Sequence, residues 1–438
     1  MSTSFNDTQA FTVREPRAFE RRVFPLHEHP LYGSVERFAD SDYLLPATLA
    51  EFTNTEGFGE TVTNLEICPA CFFNTSGTTS RSKRIPYSDA DLERQRIHES
   101  IALRKLGMGP GDGVISLGSP LPSISGWAIV NGSEAAGATV LNTSQLDYED
   151  VLLRKQQDKA TIVIGTPLVV REIGAAIAED HGPLPQLFPR LKTAIIFGDV
   201  VPKALKRQLR EIWGFERIYS LYGTVEADVV ATQSRAHPGR MDLMFERLVF
   251  EIIPESELAK ERAMADYRPR PSDIREAPDG TIGELVITDL SRDVLPLIRY
   301  RIGDVVQVHR TLDGGAGPEI SVLGRSKNAI LLDEVPLYEM QINDALEDVL
   351  GERLRDWQIV QSPAQPTRFD LYVETTDEQP LADQDHAQVR AAIASRRVEL
   401  AQRDIGAFLY THWRSQAQSM SLAGNATDAK AKRIVLAA

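Results

Sequence analysis

The first candidate for chemistry in this sequence is a run of small hydroxylated residues, TSGTTSRSK, at positions 75–83. Hydroxyls and backbone amides around a glycine can wrap an oligophosphate, and the ammonium group of Lys83 would add a point charge. The run is not a Walker P-loop, because no second glycine stands directly before the lysine. A Ser/Thr-rich turn without a ligand explains this stretch, taken alone, equally well. The candidate phosphate ligands are Thr75, Ser76, Gly77, Thr78, Thr79 and Lys83.

Three later stretches carry residues that suit the rest of a nucleotide. In SLYGTVEAD, the ring of Tyr222 can stack on a base, and the carboxylate of Glu226 can hold Mg²⁺. In LIRYRIGD, Asp304 is placed to accept hydrogen bonds from ribose hydroxyls, and LGRSKN offers Arg325. Each stretch alone is more often structural than functional, since a Tyr-Gly pair usually forms a turn and an Asp after Gly usually caps an element.

The elements that must position these residues alternate between about residues 88 and 233. Short apolar runs such as GVISLG, ATIVIG and KTAIIFG predict strands that are buried on both faces. The helical period of SDADLERQRIHESIALRKLG, with Ser88 as its N-cap, predicts one of several helices between the strands. This alternation predicts a parallel sheet with helices on both sides, whose ligands lie at the carboxyl ends of the strands.

The pattern changes after Arg235. RLVFEII and TIGELVITDL predict antiparallel strands around a polar, proline-rich insert, PESELAKERAMADYRPRPSDIREAPDG. We expect this insert to be a surface loop or partly disordered. A small α+β unit follows Gly324. We therefore expect an α/β fold with a large N-terminal domain over 1–326, containing parallel sheets flanked by helices and an antiparallel portion. A small, mobile α+β C-terminal domain is expected over 327–438.

Composition limits the class of protein. The 438 residues are too many for one compact core, which agrees with two or more domains. A net charge of −14 argues against a general nucleic-acid binder. No apolar run approaches the ~20 residues of a membrane helix, and the N-terminus lacks the pattern of a signal peptide. We expect a cytoplasmic protein with no nucleic-acid or membrane partner; the oligomeric state is left open.

The two cysteines, Cys68 and Cys71, form a CPAC motif. A CxxC can be a redox pair or half of a zinc site. The chain has no second pair to complete a metal site, and the motif leads into FFNTSG, which is typical of a strand end. We expect reduced, mostly buried thiols.

Taken together and in this order, the motifs resemble those of the adenylate-forming superfamily: acyl- and aryl-CoA ligases, adenylation domains and luciferase-like enzymes. The resemblance extends from about Pro46 to Val435. Within the superfamily it is closest to the phenylacetate–CoA ligase branch, because GTIGELVITDLSRDVLPLIRYRIGD is similar to that branch's GELV…T…PLIRYRTGD segment. It implies ATP and Mg²⁺ as cofactors and CoA as a possible cosubstrate.

The resemblance also implies roles for individual residues. Lys430, in DAKAKRIV, matches the catalytic lysine, and Glu226 matches a catalytic residue that binds magnesium. FGDVVP matches the segment before the adenine strand. Besides the phosphate-loop residues already named, the implied nucleotide-binding residues are Gly198, Asp199, Tyr222, Gly223, Thr224, Asp304 and Arg325.

The acid is expected to bind where SPLPSISGWAIVNG passes the phosphate loop. The candidate substrate residues are Ser123, Ser125, Trp127 and Asn131. Trp127 could lie against an aromatic ring, although ordinary packing of a helix against the core explains it at least as well. Small residues and one tryptophan favour a flat, modest-sized acid over a long acyl chain.

The implied reaction is ATP-dependent adenylation of a small aromatic acid, followed by transfer to CoA or a carrier-protein thiol. One alternative is an ATP-dependent diazotase that activates nitrite and diazotises an aromatic amine, as relatives in secondary metabolism do. Another is a non-catalytic relative that binds a nucleotide or a partner. The retained Lys430, Glu226 and Asp304 argue against the last.

Several positions depart from the family's pattern. They leave the charged residues intact, so adenylation is better supported than thiol capture after domain rotation. The departures are Ser80 for glycine and Ser82 for proline in the phosphate loop, Val225 and Ile302 for threonines, Ala429 for glycine, and Lys327-Asn328 for two acidic residues.

Overall fold

The computed structural model describes residues 43–54, 69–75, 83–199, 201–289, 291–292, 294–310, 317–362, 364–415 and 433–436. Its α-helices are α1 (Pro46–Asn54), α2 (Asp89–Lys105), α3 (Ile124–Ala136), α4 (Asp150–Leu153), α5 (Pro167–His181), α6 (Leu184–Leu187), α7 (Lys203–Trp213), α8 (Glu255–Ala263), α9 (Glu339–Leu350) and α10 (Asp383–Ala394). None of these helices is long and apolar enough to cross a membrane.

The strands within the same ranges are short, apart from a few long antiparallel ones. They are β1 (Cys71–Asn74), β2 (Arg84–Tyr87), β3 (Gly113–Leu117), β4 (Thr139–Val140), β5 (Ile162–Gly165), β6 (Thr193–Phe197), β7 (Arg217–Thr224), β8 (Asp228–Gln233), β9 (Met241–Leu243), β10 (Val249–Pro254), β11 (Ser272–Asp273), β12 (Ile282–Asp289), β13 (Leu297–His309), β14 (Glu319–Arg325), β15 (Ile330–Leu332), β16 (Val335–Leu337), β17 (Leu354–Ser362), β18 (Gln365–Thr375), β19 (Leu409–Trp413) and β20 (Ile434–Val435).

One mixed sheet, the main sheet, dominates the described chain. Its order is β11-β10-β12-β13-β14-β9-β8-β7-β6-β5-β3-β4. Neighbours from β7 to β4 run parallel, and neighbours from β7 to β11 run antiparallel. The predicted α/β fold, with a parallel sheet and an antiparallel portion, is confirmed.

Helices cover both faces of the parallel part. Ile115 of β3 belongs to a buried cluster with Leu209 of α7, whereas its neighbour Val114 belongs to another cluster with Leu103 of α2. Successive residues of a strand point to opposite faces, so both faces of β3 are packed against helices. This double burial explains why the parallel strands read as apolar runs without polar alternation.

Helix α2 begins at the predicted cap. The Ser88 hydroxyl accepts a hydrogen bond from the amide of Asp91 at 3.1 Å, and the Asp91 carboxylate accepts one from the amide of Ser88 at 3.1 Å. This reciprocal capping box satisfies two amides that the first helical turn would otherwise leave unpaired. It fixes where the helix starts and therefore which of its side chains face the sheet.

The prediction of a surface loop between β10 and β12 is wrong for its first part, which forms helix α8. Glu255 and Glu257 lie in the first turn, where acidic side chains favour a helix. Lys260 pairs with Glu257 at 2.6 Å, and Leu258 is buried against Ile253 of β10. The polar, proline-rich composition concealed this single buried anchor.

The chain beyond β14 builds a second sheet, the C-terminal sheet, in the order β19-β18-β17-β20. It packs with α9 and α10 around its own hydrophobic cluster, which includes Leu346, Ile359 and Ile393. A 3₁₀ turn, Ser326–Asn328, connects β14 to this part of the chain, at the predicted domain boundary. The division into domains over 1–326 and 327–438 stays a prediction.

Polar contacts join the C-terminal part to the main sheet. Oε1 of Glu347 in α9 accepts a hydrogen bond at 3.1 Å from the backbone amide of Ala204, in the first turn of α7. The carboxylate of Glu255 pairs with the guanidinium of Arg397 at 2.6 Å and accepts a hydrogen bond from the Tyr338 hydroxyl at 2.8 Å. Glu347 thereby supplies α7 with the N-terminal acceptor that Pro202 cannot provide.

Cys71 opens β1 as a free, half-buried thiol. Burial, and next the nearby charge of Asp89, raise the pKa of the thiol. A raised pKa disfavours the reactive thiolate. The reduced state of the two thiols stays a prediction. Cys68 lies outside the described residues.

Candidate active site

A cavity of about 900 Å³ lies at the carboxyl ends of the parallel strands β3, β5, β6 and β7. This is the edge at which α/β sheets bind their ligands. The predicted site residues that line it are Thr75, Lys83, Ser123, Ser125, Gly198, Asp199, Gly223, Thr224, Glu226 and Arg325. Ser76, Gly77, Thr78, Thr79 and Lys430 lie outside the described residues.

The hairpin of β1 and β2 ties together the two ends of the hydroxylated run. The amide of Lys83 donates to the hydroxyl of Thr75 at 2.9 Å, and the amide of Thr75 donates to the carbonyl of Lys83 at 3.0 Å. These bonds fix Thr75 and Lys83 side by side at the cavity. The two ends of the predicted phosphate loop therefore meet at the cavity, and the residues between them lie outside the described part of the chain.

Lys83 and Glu226 form a buried ion pair in the cavity wall. The Nζ–Oε1 distance is 3.0 Å, and the two residues are 7% and 6% exposed. The same Oε1 accepts a hydrogen bond from the Tyr300 hydroxyl at 2.8 Å. Burial alone would raise the pKa of Glu226, but the charge of Lys83 and these hydrogen bonds outweigh it and lower the pKa. Glu226 is therefore an anion at neutral pH.

Asp304 and Arg325 meet because β13 and β14 pair at these two positions. Arg325 Nε lies 2.9 Å from Asp304 Oδ1, and the Tyr222 hydroxyl donates to Asp304 Oδ2 at 2.5 Å. Gly303, which precedes the aspartate, has φ of +83°, a conformation that side chains other than glycine's rarely tolerate. The glycine of the RIGD stretch thus turns the Asp304 carboxylate toward Tyr222 and Arg325.

Asp304 and Tyr222 lie behind the cavity surface, whereas Arg325 lines it. Burial, and next the charge of Asp304, raise the pKa of the Tyr222 hydroxyl, which therefore remains a donor. Tyr222 also packs against the hydrophobic core of the antiparallel portion. The adenine and ribose roles of this group stay predictions.

A buried charge network that the sequence did not reveal holds the turn around Glu226. Arg292 donates to the carbonyl of Glu226 at 2.7 Å, and Arg247 donates to the carbonyl of Ala227. Arg247 is also paired with Asp228 at 2.8 Å. The only sequence signal is that each arginine directly precedes or lies close to an apolar run, LVF after Arg247 and VLPL after Arg292 and one further residue.

The four candidate substrate residues divide into two pairs. Ser123 and Ser125 line the cavity, but their hydroxyls also organise the start of α3: Ser123 accepts from the Ser125 amide at 3.3 Å, and Ser125 accepts from the Ser119 amide at 3.0 Å. Trp127 and Asn131 are absent from the described lining of the cavity. Their substrate roles stay predictions.

Trp127 instead packs near Phe73, with ring centroids 6.3 Å apart, on the side of the antiparallel core. The side-chain Nδ2 of Asn131 donates to the Trp127 carbonyl at 2.8 Å, one helical turn away. The residues of this part of α3 that line the cavity are Ala128 and Ile129. The ordinary packing considered for Trp127 from the sequence agrees with this position.

Helix α2 contributes two further lining residues that the sequence did not single out, Gln95 and Glu99. Both are buried. They lie within a strongly polar stretch, ERQRIHES, in which no spacing distinguishes a cavity-facing carboxylate from a solvated one.

No group of three or more histidine, cysteine, aspartate or glutamate side chains in the described ranges could hold a metal by itself. A Mg²⁺ ion that accompanies a nucleotide needs less, because one or two carboxylates, the phosphates and water complete its shell. Glu226, a carboxylate held in its ionised form at the cavity, fits that requirement.

Comparison with known proteins gives the following matches. A model described as "AMP-binding enzyme" matches residues 43–288. The phenylacetate-coenzyme A ligase of Pseudomonas putida is 27% identical over 278 residues, covering 62% of this chain and 58% of that protein. The phenylacetate-coenzyme A ligase of Thermus thermophilus is 24% identical over 295 residues, covering 65% and 61%. The matches thus span less than two thirds of these curated relatives.

Solved structures show the same fold at low sequence identity. A 2-hydroxyisobutyryl-CoA ligase, in the postadenylation state with 2-HIB-AMP, has a TM-score of 0.68 and 18% identity over 97% of this chain and 90% of that one. The GH3.15 acyl acid amido synthetase has a TM-score of 0.63 and 14% identity, covering 95% and 90%.

Proposed function

Because this chain belongs to the family of AMP-binding enzymes, we propose that it activates a small aromatic carboxylic acid with ATP to form the acyl-adenylate. The acyl group would then pass to the thiol of CoA or of a carrier protein. The curated relatives, which are phenylacetate–CoA ligases, agree with the resemblance of the motifs to that branch.

The observation that carries the proposal is the convergence of separate motifs on one cavity. Lys83 from the hydroxylated run and Glu226 from YGTVE are ion-paired in its wall. Arg325 lines the same cavity and pairs with Asp304 of RIGD. Three motifs that are far apart along the chain thus each bring a charged residue to one cavity, as binding of a nucleotide requires.

The chemistry explains why ATP is needed. A carboxylate resists attack because its leaving group would be oxide. In the proposed step a carboxylate oxygen attacks the α-phosphorus of ATP in line, one new P–O bond forms, and the bond to pyrophosphate breaks. The thiol sulfur then attacks the acyl carbon and AMP leaves. Catalysis of such steps is mostly positioning and charge stabilisation.

The described residues supply both effects. Lys83 is held beside the cavity as a buried cation, ready to face phosphate oxygens. Asp304 would accept hydrogen bonds from the ribose, with Arg325 fixing its orientation. Glu226 would hold Mg²⁺, which supplies positive charge against the phosphates. Lys430 has the role that the resemblance implies, contact with both the α-phosphate and the carboxylate.

The proposal is tested by measuring pyrophosphate release from ATP and Mg²⁺ across a panel of aryl acids, with and without CoA. We expect release that depends on the acid. A Lys430→Ala variant should lower the rate of release about 10²–10³-fold, the usual effect of losing one preorganised charge donor. Lys260→Ala is the matched control, because Lys260 is an exposed residue of α8.

A parallel set contains nitrite and aromatic amines in place of the acid. Release that requires both, with CoA irrelevant, would replace the ligase by an ATP-dependent diazotase. ATP binding without pyrophosphate release in either set would favour a non-catalytic relative. Release driven by an acid alone, and increased by CoA, supports the ligase and identifies CoA as the acceptor.

A further inference from the structure

Two polar side chains of α2, Gln95 and Glu99, line the cavity but have no part in the nucleotide chemistry proposed above. They are four residues apart, so they lie on one face of the helix, and they are 1% and 6% exposed. The same cavity is lined by apolar side chains, such as Ala128 and Ile129 of α3 and Ile164 of β5, and by Asp228 of β8. Polar groups in an otherwise apolar wall are those that orient a ligand.

The two side chains offer more acceptors than the protein uses. Gln95 Nε2 donates to Glu99 Oε2 at 3.4 Å. Gln95 Oε1 is buried and accepts no hydrogen bond from the described residues. A buried acceptor without a donor is unfavourable, and an N–H or O–H of a ligand in the cavity would satisfy it.

The surroundings of Glu99 also disfavour the ionised form of its carboxyl group. Burial, and next the like charge of Asp228, raise the pKa of Glu99 to about 8, and Arg247 opposes this only partly. Arg247 is already engaged by Asp228 at 2.8 Å and by Asp289 at 3.2 Å. A carboxyl with a strongly raised pKa in a cavity is a candidate for direct contact with a ligand.

Gly132 of α3 fixes the stem of Glu99. A Cβ atom at Gly132 would lie 2.2 Å from Cγ and 2.7 Å from Cβ of Glu99, so the glycine lets the two helices approach this closely. The Glu99 stem is wedged against the backbone of α3. This contact restricts the position of the Glu99 side chain, which lines the cavity.

The acceptor oxygens of Glu99 and Gln95 favour a substrate that carries a hydrogen-bond donor at this position. A ring amino group carries two N–H bonds, one for an oxygen of Glu99 and one for Gln95 Oε1, whereas a hydroxyl carries a single O–H. Glu99 keeps an acceptor oxygen whether it is protonated or ionised. The substrate's own carboxylate does not suit the position, because it carries no N–H for Gln95 Oε1 and the charge of Asp228 would repel it.

Building on the proposed function, we infer that the substrate is an aryl acid with an amino group on its ring, and that Glu99 and Gln95 bind this amino group. Glu99 and Gln95 are then residues that determine specificity. They take no part in the transfer of the adenylate.

The test compares the kcat/KM for pyrophosphate release with matched acids. The probes are benzoates and phenylacetates with an amino, methyl, hydroxyl or dimethylamino substituent at the meta or para position. The methyl group has a similar size to the amino group, and the dimethylamino group has no N–H. For the wild type we expect the kcat/KM of an amino-substituted acid of this panel to be at least tenfold higher than that of its methyl and dimethylamino analogues. A site built for N–H donors rejects analogues that lack them.

Three variants assign the preference to the two residues. Glu99→Leu should reduce the amino-to-methyl ratio to about one, and Gln95→Met should reduce it by a smaller factor. Glu93→Leu is the matched control, because Glu93 lies on the same helix with its side chain 55% exposed. ATP affinity and melting temperature are measured for each variant, so that a folding defect is separated from a change in specificity.

The possible outcomes are distinct. A wild type that uses amino and methyl analogues equally, or prefers the hydroxyl analogues, overturns the inference while adenylation itself stands. An amino preference that survives in Glu99→Leu also overturns it. If no acid causes pyrophosphate release, the proposed function fails and the inference, which depends on it, fails too. An amino preference lost in Glu99→Leu and kept in Glu93→Leu supports the inference.

Discussion

Two groups of polar residues share one cavity and treat buried charge in opposite ways. In the paired group, Lys83 neutralises Glu226 and Arg325 neutralises Asp304. In the Glu99 group, which consists of Glu99 and Gln95, an acid is buried beside another acid, and the Gln95 amide oxygen accepts no hydrogen bond from the part of the chain that the structure describes. The charges of the first group are paired within the protein, whereas the amide oxygen of the second group is left for a donor on a ligand.

This difference separates two demands on an active site. Groups that meet a constant part of the substrates, the nucleotide, can be preorganised by their own partners at little cost in stability. Groups that recognise the acid, which varies between enzymes, must keep hydrogen-bond acceptors unpaired within the protein. Those unpaired acceptors lower the stability of the folded state. The predictions below break the first group and then probe the second.

The largest effect is expected from Lys83→Met, which leaves the Glu226 carboxylate buried without its cation. Removing one member of a buried pair costs about 3–5 kcal/mol of stability, and loss of the phosphate-facing charge should lower pyrophosphate release about 10²–10³-fold. Urea unfolding and the pyrophosphate assay measure the two effects. Lys260→Met, a change at an exposed pair, should leave both unchanged.

Asp304→Asn breaks the other pair of the paired group with a smaller effect. Hydrogen bonds to a charged acceptor are worth about 1.5–3 kcal/mol, so the Kd for ATP should rise about 10–100-fold. The wild type should bind ATP more tightly than 2′,3′-dideoxy-ATP, and the variant should not. Asp377→Asn, at an exposed carboxylate, is the control. Unaltered discrimination between the two nucleotides in Asp304→Asn would remove the ribose role.

The Glu99 group predicts a pH dependence of stability. The pKa of Glu99 is raised from 4.5 to about 8 on folding, so the folded state binds the extra proton between these pH values. The stability contributed by protonated Glu99 is fully present below pH 4.5 and is lost as the pH rises through 8. Glu99→Leu removes this loss.

Melting temperatures of Glu99→Leu and the wild type, compared between about pH 5 and about pH 9, measure this effect. The difference in favour of the variant should grow as the pH rises. Glu93→Leu should show no such growth, because a hydrogen bond from Arg96 lowers the pKa of Glu93. A constant difference for Glu99→Leu would mean that Glu99 is ionised throughout.

The smallest effect is expected from Gly132→Ala, which displaces the Glu99 group without replacing either of its residues. The added methyl group would collide with the Glu99 stem, and such overpacking costs about 1–3 kcal/mol. The amino-to-methyl ratio should fall several-fold, with the Kd for ATP unaltered. Gly109→Ala is the control, since a Cβ there meets nothing within 4 Å. An unchanged ratio in Gly132→Ala would show that the glycine does not position Glu99.

The sequence predicted the paired group and missed the Glu99 group for a physical reason. Glycines and hydroxylated residues surround Lys83, Glu226 and Arg325 in the sequence, and the order of these motifs along the chain forms a recognisable pattern. All three charged residues line the cavity. Glu99 and Gln95 lie inside a polar helix, where the rotation of α2 against α3 decides what faces inward. That rotation depends on contacts such as the one with Gly132, which no local pattern specifies.

The fold was predicted best where burial leaves a clear signature. The short apolar runs correctly indicated a parallel sheet covered on both faces. Helix α8 was missed because a single buried residue, Leu258, anchors it within a proline-rich polar stretch. For Trp127 the sequence left substrate contact and core packing open, and a difference of one helical position on α3 separates the two.

The hydrogen bond between Glu347 and the amide of Ala204 makes this amide a reporter of how often α9 and α7 separate. Ala204 is 5% exposed, and its N–H donates to a side chain of α9 rather than to its own helix. Its hydrogen can exchange with deuterium only when α9 withdraws from α7 or α7 frays. The exchange rate of this one amide, compared with others in α7, would therefore report how often the C-terminal part separates from the main sheet.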